Sequence, residues 1–229
     1  MRVTAQWLFI ICLPVLLLAA VIGILANSLC LYEYGASKYG VGESLAEAGL
    51  KLSDAELSGI YAGLIDYYNS GEEYVRISVV EEGKQVDVLT PEEVLHFRDV
   101  RGLIRLDYWL LSGTLAYFLV FIGLSLFLWH EKRRLGWGLL GGSILTLALL
   151  LVLVLFDRLF GFGELFLQFH FVFFNNLFWS TPGNMLLLFP ENFFIDAVTI
   201  GAAILAGAAI VLGGVGWWMK AKSPAKKPS

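Results

Sequence analysis

Residues 108–156 read YWLLSGTLAYFLVFIGLSLFLW, then HEKRR, then LGWGLLGGSILTLALLLVLVLF. Two runs of 22 residues without a charge flank five residues that carry Lys132, Arg133 and Arg134. A helix rises about 1.5 Å per residue, so about 20 apolar residues cross the roughly 30 Å of bilayer hydrocarbon. Each run is therefore long enough to span, and the short basic loop joins them as a helical hairpin. Two further stretches, Trp7 to Ala26 and Ala197 to Met219, are equally free of charge. Trp7, Tyr108, Trp109, Trp129, Trp137, Trp217 and Trp218 mark their ends, where aromatic rings sit at the membrane–water boundary.

The whole chain agrees with this reading. Of its 229 residues 58% are hydrophobic and 16% charged, with a mean hydropathy of +0.72. Soluble domains run about 45–50% apolar and about 25% charged. The net charge of −4 gives no basic face for nucleic acid. Two cysteines, Cys12 and Cys30, exclude a disulfide scaffold and a Cys-rich metal site. The first apolar stretch is longer than the 7–15 residues of a signal-peptide core, and Leu29 stands before Cys30 where a lipoprotein signal needs a small residue. We therefore expect an uncleaved anchor.

Basic residues orient the spans. In a four-span arrangement Arg2, Lys132, Arg133, Arg134, Lys220, Lys222, Lys226 and Lys227 share one side with a single acid, Glu131. The other side holds eight basic residues and nineteen acids. The expected class is an all-α membrane protein with both termini cytoplasmic. It is a four-transmembrane-helix bundle with an extracytoplasmic α+β cap and interfacial or re-entrant helices. The expected divisions are 1–26, first span; 27–107, cap; 108–156, second and third spans with their loop; 157–196, an aromatic outer segment; 197–219, fourth span; and 220–229, a basic cytoplasmic tail. Small residues four apart, at Gly138 and Gly142, Ala203 and Gly207, and Ala209 and Gly213, suit close helix packing in lipid. The absence of internal repeats and of charges within the spans disfavours a transporter.

Within 27–107, Ser53 and Glu56 form a capping-box pattern, followed at helical spacing by Leu57, Ile60, Tyr61, Leu64 and Ile65. Tyr74 to Val80 and Val86 to Leu89 alternate as strands around a turn at residues 81–84. Two strands are marginal alone, so the hairpin needs a helix or the membrane surface to pack on. Thr90-Pro91-Glu92-Glu93 then starts a helix that leads into the second span, with three arginines alternating with apolar residues. Segment 157–196 is crowded with phenylalanine yet broken by Gly161, Gly163, Pro182, Gly183 and Pro190. Irregular backbone at membrane depth must be buried in protein or face water, so this segment reads as interfacial or re-entrant.

The three histidines separate by topology. His130 falls in the cytoplasmic loop and reads as a solvated helix end. His96 and His170 fall outside, each beside membrane-seeking sequence. Imidazole takes and gives protons near neutral pH, so this pair is the candidate acid–base machinery. Asp99 follows His96 by three residues on one helical face and is placed to fix its tautomer. Zinc on the two histidines and a carboxylate is a weaker reading, because no ligand pair is closely spaced. Cys12, inside a span, reads as core, and a catalytic thiol at Cys30, just outside the first span, is a weaker reading than the histidine pair.

Residues 92–101, EEVLHFRDVR, and 169–179, FHFVFFNNLFW, followed by 188–194, LFPENFF, resemble three motifs of a bacterial integral-membrane family, the lipoprotein intramolecular transacylases. The Leu-Ser-Asp-Ala-Glu-Leu opening at Leu52 and the four-span layout match as well. Phe97 replaces a Met of the family pattern, and Leu177 and Asn184 stand where it usually has Asp. The resemblance implies transfer of the sn-2 acyl chain of a diacylglyceryl lipoprotein to the α-amine of its N-terminal Cys, with no cofactor. It implies His96 and His170 as acid and base and Asp99 as the group orienting His96. Asn176 would be an oxyanion donor or a structural bond, and Glu191 a histidine partner or a helix cap. Phe169, Phe173, Phe174 and Trp179 would contact the acyl chains, with the lipoprotein and membrane lipids as partners. Another lipid hydrolase or acyltransferase on the same scaffold, or a non-enzymatic lipoprotein-binding protein, are the competing readings.

Overall fold

A computed structural model of the chain describes residues 2–81 and 83–222. Among these, four helices are long and apolar enough to cross a membrane: α1 (Arg2–Ala26), α5 (Pro91–Gly123), α6 (Lys132–Phe160) and α9 (Glu191–Lys222). A π-helical turn, Leu124–Leu128, extends α5. Three of the four expected spans fall inside these helices, and the second, ending at Trp129, runs one residue past the π-helical turn. All four helices begin earlier than the uncharged runs, α5 at Pro91 and α9 at Glu191 by the most, without a break before the apolar stretch. Lys226 and Lys227 of the expected basic tail, and Glu82 of the expected turn, lie outside the described residues.

The chain divides into two compact units. The first holds α1 as far as Gly23, residues 107–159, and the chain from Ile200 onward. Its core is Phe9, Phe121, Leu135 and Leu139. The Phe9 ring lies 4.4 Å from Phe118 and 4.5 Å from Phe121, and Tyr117 donates to the Ala5 carbonyl at 2.6 Å. In lipid there is no hydrophobic drive between helices, so close backbone approach has to supply the packing. A Cβ on Gly138 would meet the Phe9 ring at 2.8 Å, and one on Gly142 would meet Leu13 at 2.7 Å. The expected Gly138/Gly142 face is therefore the seat of α1. The tightest approach was not foreseen. A Cβ on Gly136 would lie 2.6 Å from the Gly216 carbonyl oxygen, and one on Gly216 would lie 2.7 Å from that of Gly136. The expected Ala203/Gly207 contact is corrected, since a Cβ on Gly207 meets nothing within 4 Å. At the loop between α5 and α6, Glu131 accepts from Arg2 at 3.1 Å and forms an ion pair with Arg134 at 2.6 Å.

The second unit holds residues 24–106 and 160–199. So the two segments read as lying outside the cytoplasm fold together. Residues 27–49 contain α2 (Leu29–Lys38) and α3 (Val41–Glu47), which the periodicity of a short, mixed-polarity stretch did not reveal. Ser28 caps α2, its hydroxyl accepting from the Leu31 N–H. Gly40, at φ 60°, makes the left-handed step into α3. Helix α4 (Asp54–Asn69) carries the expected capping box: the Ser53 hydroxyl accepts from the Glu56 N–H, and the Glu56 carboxylate from the Ser53 N–H. Its Leu57, Ile60, Tyr61 and Leu64 are buried.

The hairpin is shorter than expected, with β1 (Ser78–Glu81) and β2 (Lys84–Asp87) antiparallel and Val79 opposite Val86. Glu81 pairs with Lys84, so both belong to the ladder rather than to the turn, and Gly83 turns at φ 79°. Ile77, just before β1, lies against Gly63 of α4, which gives the two strands the helix they need. Segment 160–199 contains α7 (Phe162–Phe173), a single 3₁₀ turn (Phe178–Ser180), α8 (Asn184–Leu188) and the start of α9.

Overpacking a filled contact costs about 1–3 kcal/mol. Gly142→Leu and Gly216→Val should therefore each lower the Tm of the detergent-purified protein by several degrees, while Gly207→Val should leave it unchanged in the same thermal scan.

Candidate active site

The site lies in the second unit, where the first turns of α5 meet α7 and the chain that follows it. Thr90 caps α5 and Glu93 completes a capping box, the Thr90 N–H donating to the Glu93 carboxylate at 2.7 Å and the Glu93 N–H to the Thr90 hydroxyl at 3.3 Å. The other Glu93 oxygen accepts from the Met185 N–H at 2.6 Å, and the side chain has no exposure to water. Gly183 packs so tightly on this carboxylate that a Cβ there would collide with it. Asn184 adds a bond from its amide to the Val88 carbonyl at 2.8 Å. The start of α5 and the turn into α8 are thus fastened together by side chains on backbone groups.

His96 lies one turn beyond Glu93, so the clamp sets its position. Its ring is 7% exposed and stands 6.2 Å, centroid to centroid, from that of His170, which is 6% exposed. The two planes are inclined by 26°. Aromatic side chains enclose the pair: Phe174 lies 4.9 Å from His96, and Phe166 and Trp179 lie 4.1 and 4.5 Å from His170. His170 Nδ1 is 2.7 Å from the Phe166 carbonyl oxygen. In a neutral ring that bond puts the proton on Nδ1 and leaves the Nε2 lone pair free. His96 Nδ1 is buried and makes no hydrogen bond among the described residues. Burial lowers the pKa of His170, an effect the bond to Phe166 partly opposes, so it stays neutral and basic at physiological pH.

Asp99 sits beside the pair but does not bond His96. Its carboxylate accepts from the Asn176 amide at 2.8 Å and from Arg98 at 3.4 Å. Asn176 Oδ1 accepts from the Phe178 N–H at 3.1 Å and its backbone carbonyl from the Trp179 indole at 3.1 Å. Of the two roles expected for Asn176, the structural bond is the one its geometry displays. It folds the 176–179 turn so that Trp179 covers His170. Glu191 is an exposed residue at the first position of α9, where an acid suits the helix dipole. Phe174 is buried at the pair, whereas Phe169 and Phe173 are about half exposed, their rings 4.8 Å apart and tilted by 41°. His130 stands apart in the first unit, exposed, with φ 52° and Nδ1 3.2 Å from the Leu126 carbonyl oxygen.

Glu93 is the residue that sequence reasoning read only as part of a helix start. Its signal was present as Thr90 and Glu93 three apart, the capping-box spacing, but nothing local announces the Met185 bond. Among the described residues no three His, Cys, Asp or Glu side chains converge as a metal site. The arrangement offers two imidazoles, one with a defined free lone pair, in a dry aromatic setting. That suits moving protons between a nucleophile and a leaving group held side by side.

Comparison with known proteins supplies the lineage. No curated protein matches the sequence. Three solved chains match in structure. The membrane integral lipoprotein intramolecular transacylase Lit from Bacillus cereus superposes with a TM-score of 0.81 at 19% identity, covering 97% of each chain. Two variants of that protein, with one histidine replaced by arginine or by alanine, each give 0.77 at 18% identity, over 97% of this chain and 93% and 94% of theirs. At this identity the likeness establishes a shared fold. A sequence profile described as lipoprotein intramolecular transacylase Lit covers residues 7–194. On that match over most of its length, the chain belongs to the Lit family of membrane-integral lipoprotein intramolecular transacylases.

Proposed function

We propose that the chain moves the sn-2 acyl group of a diacylglyceryl lipoprotein to the α-amine of the same molecule's N-terminal Cys, leaving an N-acyl, lyso-glyceryl lipoprotein. The observation that carries this reading is the His96–His170 pair, 6.2 Å apart and enclosed by aromatic rings. The family match supports an acyl-transfer role on a lipoprotein.

The chemistry needs three services: a base for the attacking amine, stabilisation of the tetrahedral oxyanion, and a proton for the departing glycerol oxygen. An α-amine has a pKa of about 7.7–8.0, so modest base help is enough. Donor and acceptor are tethered, and oriented intramolecular reactions gain roughly 7–11 kcal/mol, which leaves the protein mainly to position and shuttle protons. In our reading the free Nε2 of His170 takes the amine proton and His96 protonates the leaving oxygen. The reverse assignment moves the same protons. The Asp99–Asn176 bond holds the 176–179 turn over the pair, Glu191 acts as a helix cap, and Phe169, Phe173, Phe174 and Trp179 line the acyl chains. The second unit faces the outside of the cytoplasmic membrane and both termini face the cytoplasm, as the basic-residue asymmetry indicates.

General acid–base help is worth about 10²–10⁴-fold. His96→Ala and His170→Ala should each lose about that much transfer rate on a reconstituted lipoprotein, and His130→Ala should match the parent chain. The His170 pKa lies below its ordinary value, so its neutral, active form persists under mild acid. Activity should be lost only as the pH falls through a midpoint below about 6.5. Unchanged rates in both histidine variants refute the acid–base pair. Free fatty acid as the product points to a hydrolase instead.

Orientation has its own test. In a Cys30→Ser background, Lys84→Cys should react with an impermeant thiol reagent added outside intact cells, and Lys222→Cys only after the membrane is opened. The opposite pattern reverses the topology.

A further inference from the structure

Helix α5 carries a second polar feature, on the face turned away from His96. Arg98, Arg101 and Arg105 are spaced three and four apart and form one stripe. At about 100° per residue, Arg98 and Arg105 lie about 160–180° around the helix from His96, and Arg101 about 140°. The stripe is therefore separate from the histidine pair.

These arginines are poorly neutralised. Arg98 has a weak pairing with its neighbour Asp99 at 3.4 Å, and that carboxylate is already bonded to Asn176. Arg101 and Arg105 form no ion pair among the described residues. Among the described residues, Arg105 donates to the Ser70 carbonyl at 3.1 Å. Arg101 is 5% exposed, its Nε is buried without a hydrogen-bond partner, and its guanidinium lies 5.1 Å over the Tyr67 ring. Arg98 lies 5.9 Å over the Tyr74 ring. All three cations act on the Tyr67 hydroxyl, which donates to the Glu73 carbonyl. Burying a cation without a counter-charge is costly, so a stripe of this kind is stable when an anion completes it. Tyr74 and Tyr67 each take one side-chain contact, from Arg98 and Arg101 respectively, and a guanidinium carries five N–H donors, so donors remain for a tetrahedral acceptor.

The position along the chain narrows the choice of anion. Arg105 stands three residues before Tyr108, where the uncharged run of the second span begins, and Trp109 beside it is largely exposed. Tyr and Trp at the start of a span mark headgroup depth. An anion at that depth is a lipid phosphate.

We propose that Arg98, Arg101 and Arg105 form a binding site for the phosphodiester of an anionic phospholipid, distinct from the acyl-transfer site. Arg105 is exposed and Arg98 partly so, which gives the headgroup its approach. Arg101 beneath them contributes an uncompensated charge. Guanidinium–phosphate pairing is directional and charge-assisted, so loss of one arginine should be measurable.

The test uses the full chain, delipidated in detergent and returned to phosphatidylcholine nanodiscs with or without phosphatidylglycerol. Native mass spectrometry counts retained lipid, and a thermal scan reports stabilisation. The parent chain should retain phosphatidylglycerol over phosphatidylcholine and gain Tm from it. Arg105→Gln and Arg101→Gln should each weaken that retention about tenfold, and His170→Ala should leave it unchanged. Arg105→Gln changes an exposed side chain, so it decides the matter even if Arg101→Gln fails to fold. Equal retention of both lipids by the parent chain, or full retention by Arg105→Gln, overturns the proposal. Stabilisation by inorganic phosphate in detergent without any response to phosphatidylglycerol overturns it too.

Discussion

Glu93 is a carboxylate with no contact with water, and both of its oxygens are spoken for by backbone N–H groups, at Thr90 and Met185. A buried carboxylate left unpaired would be strongly unfavourable, so the two segments that satisfy it cannot drift apart without a large penalty. One segment is the first turn of α5, which carries His96 one turn later. The other begins α8 and continues through Phe189, Phe193 and Phe194 into α9. Gly183 is required because no side chain fits against the carboxylate. The geometry of the histidine pair follows from this clamp together with the Asp99–Asn176 bond, which folds Trp179 over His170.

In the proposed reaction, the surroundings of the pair explain why so few polar groups would suffice. Phenylalanine and tryptophan rings exclude water, which lowers the pKa of His170 and keeps it a base. Both rings are buried and about 6 Å apart, so a second positive charge beside a first would be unfavourable there. That is the condition an acid–base pair needs, one ring accepting while the other donates. The same aromatic surface, half exposed at Phe169 and Phe173, is chemically suited to acyl chains.

Much of this was legible from residue order, and the boundary is physical. Spans announce themselves because an uncharged run of 22 residues has few alternatives, and all four were found. The Ser53 capping box and the Thr90 helix start are local signals, and both formed. Helices α2 and α3 escaped because short segments of mixed polarity show no clear period. The hairpin was placed but its turn was overlong, since Glu81 and Lys84 are as suited to a charged cross-strand pair as to a turn. The histidine pair could be anticipated from topology alone. Its fastening could not: the Glu93–Met185 and Asp99–Asn176 bonds join residues 92 and 77 positions apart, and no local pattern encodes such contacts. The Gly136–Gly216 approach was missed for the same reason, being a match between two helices rather than a motif within one.

The central claim is an acyl shift within one molecule, and mass balance tests it most directly. A lipoprotein N-terminal peptide is isolated from a host lacking other N-acylation, with and without this chain, and fragmented in a mass spectrometer. The account predicts an unchanged total mass, with one acyl group now in amide linkage on the Cys nitrogen and one left on the glyceryl group. An unchanged diacylglyceryl fragment with a free α-amine, a loss of one acyl mass, or a gain of one would contradict it.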